Sequence, residues 1–144
     1  MTKENMESKL VLSLFLLRVG VGIVFFMWTI DKLLNPEHIA RVFAAFYMIP
    51  SLSTITSYAI GATQLVVVLA FLSGALKRYS YAAIFIMYLI STVSTYGNYF
   101  DPWPGINFLF FAAFPMLAAC WALWSLRDYD IFFAIESHQE NSAS

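Results

Sequence analysis

Apolar positions along the chain fall into four long blocks with short polar stretches between them. The blocks run from about Leu10 to Ile30, Ile55 to Gly74, Tyr79 to Thr95 and Phe108 to Leu126, and the third extends toward Tyr99. A helix needs about 20 mostly apolar residues to cross the hydrocarbon core of a bilayer. The pattern therefore predicts four membrane spans. The first carries one charge, Arg18, and the second carries none. The first block is longer than the ~7–15 apolar residues of a signal peptide. Asp31-Lys32-Leu33-Leu34 follows it where a small-residue cleavage site would stand, so it reads as a retained helix.

The connections carry their own signals. Pro36 is placed to open a short helix, with Glu37 in its first turn. From His38 to Tyr47 one face is apolar (Ile39, Val42, Phe43, Phe46), and Pro50 closes the stretch. This predicts a short interfacial helix on the outer surface between the first two spans. The stretch from Tyr96 to Gly105 mixes aromatic and turn residues, as an interface belt does. The organisation expected is an N-tail over residues 1–9, a transmembrane domain over 10–126 and a C-tail over 127–144, polar and disordered from Glu136 on.

Charge sets the orientation. Lys3, Lys9, Lys77, Arg78 and Arg127 fall on one side of a four-span chain, against Lys32 and Arg41 on the other. By the positive-inside rule both termini are cytoplasmic. Composition agrees: of 144 residues, 60% are hydrophobic and 12% charged, and mean hydropathy is +0.71. A soluble domain has about 25% charged residues. A net charge of −1 leaves no basic footprint for nucleic acid. The fold class expected is all-α: a four-transmembrane-helix up-and-down bundle with an added outer helix. A bacterial inner membrane suits the short chain.

Counting removes several chemistries. His38 and His138 lie outside the spans, so no span offers a haem ligand. Cys120 alone gives no cysteine pair. No cluster has metal-ligand spacing. Arg18 is the strongest single signal, about eight residues and roughly 12 Å into its span. A charge near the bilayer centre costs at least about 2.5 kcal/mol, so it should face the bundle or a cavity. Snorkelling to the headgroups is the alternative. Gln64 sits at a similar counted depth on the antiparallel second span and offers a carbonyl oxygen to the guanidinium. No span contains a carboxylate to neutralise Arg18. Ser91 and Ser94 extend this polar seam, although hydroxyls in spans commonly bond their own helix. Gly22 shares the Arg18 face and leaves room for the guanidinium or a ligand. Pro115 is placed to kink the fourth span. Tyr96, Tyr99 and Trp103 line the outer mouth. Lys32 and Asp101 stand there as solvated charges, with a bridge between them the alternative.

The chain resembles the DoxX family of small four-helix membrane proteins over roughly residues 13–126. The matching pieces are Leu17-Arg18-Val19-Gly20-Val21-Gly22, Asp31-Lys32-Leu33, Ile49-Pro50, Gly61-Ala62-Thr63-Gln64-Leu65, Leu72-Ser73-Gly74 and Lys77-Arg78. The family often has glutamate in place of Gln64 and glycine in place of Thr29, so proton chemistry does not carry over directly. The resemblance implies a membrane subunit of an oxidoreductase system. On that reading Arg18, Gln64, Ser91 and Ser94 hold a quinone carbonyl, and electrons come from a partner subunit. The alternative is a non-enzymatic assembly factor, anchor or small carrier whose buried polar residues are structural. A channel would require a homo-oligomer, because one polar seam is thin for a pore.

Overall fold

The computed structural model describes residues 2–50 and 52–138. Among them every regular element is helical and there is no strand. Helix α1 spans Lys3–Leu34, α2 Pro36–Phe46, α3 Thr54–Leu72 and α4 Lys77–Ser94. A short α5 (Tyr96–Phe100) and a 3₁₀ turn (Asn107–Ala112) lead into α6 (Ala113–Ser125). The chain then forms 3₁₀ turns at Arg127–Tyr129 and Ile135–His138. Residues 139–144, where much of the expected disordered tail falls, lie outside the described residues.

Three helical stretches are long and apolar enough to cross a membrane: Lys3–Leu34, Thr54–Leu72 and Asn107–Ser125. The third expected span, α4, is nearly as long as α3. Its opening Lys77-Arg78 and its Tyr79, Tyr81 and Tyr88 make it less apolar than the other three. The fourth expected span does not start as an α-helix. Pro115 has no N–H and its ring crowds the carbonyl four residues back. The turn before it winds as 3₁₀ instead, and α6 begins at Ala113.

Buried positions on α1 (Leu14, Arg18, Val21, Gly22, Phe25, Thr29) form one stripe at helical spacing. Leu12, Leu16, Ile23 and Met27 are exposed between them, which is the surface expected of a helix standing in lipid. The stripe packs against α3, α4 and α6 around Val68, Phe71, Tyr81, Ile84, Tyr88, Cys120 and Leu123. Small residues set the α1–α3 approach. A Cβ on Gly22 would collide with Leu72 Cδ2, and one on Gly61 would fall 2.9 Å from Leu33 Cδ2. Gly22 therefore makes room for a leucine of α3, rather than for the guanidinium or a ligand as expected from sequence.

These contacts fix the antiparallel register. The α3 end at Leu72 lies beside Gly22, and Gly61 lies beside the end of α1. The bundle thus has a terminal end, near the α3–α4 turn, and a loop end, where α2 crosses between α1 and α3. Helix α2 begins at Pro36 as predicted and buries Ile39 against its neighbours.

Candidate functional site

The two residues expected to act together lie at opposite ends of the bundle. Arg18 sits beside Gly74, where an added Cβ would fall 2.6 Å from its Nη1. Gln64 is ten residues back along α3, about 15 Å away at ~1.5 Å per residue. Counting depth from the ends of apolar runs misplaced Arg18, because α1 extends well past the α3–α4 turn.

At the terminal end Arg18 is 1% exposed, and both its terminal nitrogens are engaged by its own chain. Its Nη1 lies 3.3 Å from Asp130 Oδ2 and donates to the Tyr81 hydroxyl at 3.4 Å. Its Nη2 donates to the carbonyls of Phe132 at 2.6 Å and Phe133 at 3.1 Å. Tyr81 in turn donates to Asp130 Oδ2 at 2.6 Å. Asp130 is completely buried. Arg18 Nε and Asp130 Oδ1 make no hydrogen bond among the described residues. The carboxylate that pairs Arg18 therefore comes from beyond the spans, from a segment expected to trail as a tail.

That segment is a strap. Ile135 N donates to the Ser73 carbonyl at 3.0 Å and Glu136 N to the Gly74 carbonyl at 3.4 Å. Glu136 Oε2 accepts from Lys77 N at 3.2 Å, placing a carboxylate on the first turn of α4 where the helix dipole favours it. Phe132 and Phe133 pack on Phe15, which also lies under the Arg18 guanidinium. Gly74 has φ +64° and Phe133 φ +48°. The left-handed backbone is free of penalty for glycine and costs about 1–2 kcal/mol for phenylalanine. The carbonyl bond to the guanidinium offsets it.

At the loop end a cavity of about 370 Å³ opens between α1, α2, α3 and α4. Its walls are apolar and aromatic: Phe25, Trp28, Phe43, Phe46, Tyr47, Met87 and Phe110. Its polar groups are few: Gln64, Ser91, Thr95, Asp31, Lys32 and His38. This is the composition of a small-molecule site. Gln64 is only 8% exposed, and its amide has no hydrogen-bond partner among the described residues. Its amide atoms keep some accessible surface and face the cavity, where water or a ligand can bond them. At the mouth His38 Nδ1 lies 2.7 Å from Asp31 Oδ2, and Asn35 Nδ2 donates to Asp31 Oδ1 at 2.8 Å.

Of the residues singled out from sequence, Gln64, Ser91 and Lys32 line this cavity. Ser94 is half-buried and donates to the Ile90 carbonyl of its own helix. Tyr99 donates to the Thr92 carbonyl at 3.1 Å and packs on Phe111 and Phe114. Tyr96 and Trp103 project outward, Trp103 with 84% of its surface exposed. Lys32 donates to the Trp28 carbonyl at 3.3 Å, and no ion pair joins it to Asp101 among the described residues. Sequence reasoning missed His38, Asp130 and Tyr81. Asp130 carried a usable signal: an apolar run, Ile131-Phe132-Phe133-Ala134, follows it directly.

These features define a small all-helical integral membrane protein with a closed polar cluster at one end and an open cavity at the other. The chain belongs to the family described as methylamine utilisation protein MauE, whose model matches residues 10–102. The matched stretch contains Arg18, Tyr81 and the polar groups of the cavity, and stops before Asp130. No curated protein and no solved structure matches the chain.

Proposed function

We propose that this protein is a four-span membrane subunit serving an oxidoreductase system, and that its loop-end cavity holds a quinone-type head group. The family name ties it to methylamine utilisation, and the family serves a methylamine dehydrogenase system. The short motifs shared with the DoxX family fall largely within the same matched stretch, and that resemblance points to the same kind of system. In this reading α4 is the third span. The basic residues at the terminal end support a reading with both termini cytoplasmic and the cavity toward the outer face of a bacterial inner membrane.

The single observation that carries the ligand reading is Gln64, a buried residue whose amide has no partner among the described residues and faces an aromatic-walled cavity. A quinone ring suits this space: flat and apolar, with carbonyl oxygens for the Gln64 amide and the Ser91 hydroxyl. The cavity volume lies within the usual 300–1,000 Å³ of such sites. A bound quinone would supply two-electron chemistry. This chain's residues would bind and orient it and shield it from water. Arg18 takes no part, since its guanidinium is already committed.

Native mass spectrometry from mild detergent tests the proposal. Wild type should retain a mass matching a quinone, and Gln64→Leu should lose it while staying folded. Retention by both proteins refutes the role of Gln64. The second reading is an assembly factor without a bound small molecule. It is favoured by the Arg18 cluster, which bonds within its own chain, and capture of a dehydrogenase partner with no quinone mass would support it.

A further inference from the structure

We infer that the His38–Asp31 pair at the cavity mouth makes this site selective for the hydroxyl-bearing, reduced form of its ring ligand, with His38 Nε2 accepting the ligand's hydrogen bond. The inference rests on the quinone reading above and deepens it.

The argument starts from donors and acceptors. The Gln64 amide offers both an N–H and a carbonyl oxygen, so it serves a ring carbonyl and a ring hydroxyl equally. A hydroxyl such as Ser91 is equally neutral in this respect. Selectivity needs a group that plays only one role. Asp31 Oδ2, 2.7 Å from His38 Nδ1, is such a group. An ionised carboxylate only accepts, so Nδ1 must carry the hydrogen. In the neutral ring this leaves Nε2 as an acceptor with no hydrogen of its own. A hydroxyl can donate to it; a carbonyl cannot.

The pair stands at the open mouth of the cavity, with 51% of the His38 side chain and 32% of the Asp31 side chain exposed. Asp31 Oδ1 accepts from Asn35 Nδ2 at 2.8 Å, so the carboxylate is fixed from two sides. His38 lies in the first turns of α2, whose start at Pro36 is set by the proline. The other charged group on the cavity wall, Lys32, donates to the Trp28 carbonyl of its own helix. No covalent change is involved: the inference concerns which form is held, and a partner supplies or removes electrons.

The Asn35 contact makes a sharp test. In Asp31→Asn the side-chain oxygen takes the Oδ1 position, where it accepts from Asn35. The new amide nitrogen then faces His38 and donates to Nδ1. The imidazole hydrogen moves to Nε2, which becomes a donor and favours a carbonyl. The experiment measures Kd for a short-chain 1,4-benzoquinone and for its hydroquinone, anaerobically, by quenching of tryptophan fluorescence in detergent micelles. Wild type should bind the hydroquinone at least about tenfold tighter, a difference of about 1.4 kcal/mol. Asp31→Asn should bring the ratio to one or reverse it, and His38→Phe should abolish the preference. Gln64→Leu should weaken both forms alike and keep the ratio. An unchanged ratio in Asp31→Asn and His38→Phe overturns the inference while leaving the quinone reading standing. Failure of wild type to bind either form overturns both.

Discussion

The two ends of this bundle bury polar side chains under opposite conditions. At the terminal end Arg18, Tyr81 and Asp130 are inaccessible and bonded to one another and to two backbone carbonyls. At the loop end Gln64 is almost as deeply buried and has nothing to bond among the described residues. A buried charge is tolerated when its surroundings complete it, and such a network serves architecture. An amide that faces a cavity with no side chain to bond is free to bond a ligand. Burial and polarity mark both ends equally. Only the partner inventory separates structure from site.

The largest effect expected from breaking this contrast is at the terminal end. Asp130→Ala leaves the guanidinium buried without its carboxylate, and the loss should be about 3–5 kcal/mol. Thermal unfolding in detergent measures it, and ligand affinity in the protein that remains folded should not change. Gly74→Ala comes next. The new Cβ would meet Ala134 Cβ at 2.6 Å and Arg18 Nη1 at 2.6 Å, and the left-handed backbone adds about 1–2 kcal/mol. The strap should detach, read as faster proteolysis after Arg127. At the loop end Gln64→Leu should cost ligand affinity about tenfold, or about 1.4 kcal/mol. It should leave stability nearly unchanged, since the amide bonds no other side chain among the described residues. A fall in stability larger than the fall in affinity would erase the contrast. Smallest of all is Ser94→Ala, whose hydroxyl only bonds its own helix; it should stay within about 0.5 kcal/mol in unfolding and leave binding untouched.

Much of the fold was legible in the sequence because its signals are local. Pro36 marks the start of α2, and apolar runs mark α1, α3 and α6. The stripe through Arg18 follows from helical spacing. What escaped depends on distance along the chain. Asp130 is 112 residues from Arg18, and a short polar stretch after the last span looks like a solvated tail. The supposed Arg18–Gln64 pairing failed for a geometric reason. Apolar runs do not say where a long helix stands relative to its neighbours, and the Gly22–Leu72 contact does. Gln64 and Ser91 were legible as polar residues in apolar surroundings. His38 was not, because a histidine between spans carries no sign of the aspartate that orients it.

The strap also imposes an order on biosynthesis. Arg18 emerges early and enters the membrane more than a hundred residues before Asp130 is made. Until then its charge has no carboxylate to meet, and Tyr81 and the end of α3 form an unsealed notch. The last stretch of the described chain to be translated is therefore the one that locks the first helix. A chain that ends before Asp130 leaves the Arg18 guanidinium without its carboxylate.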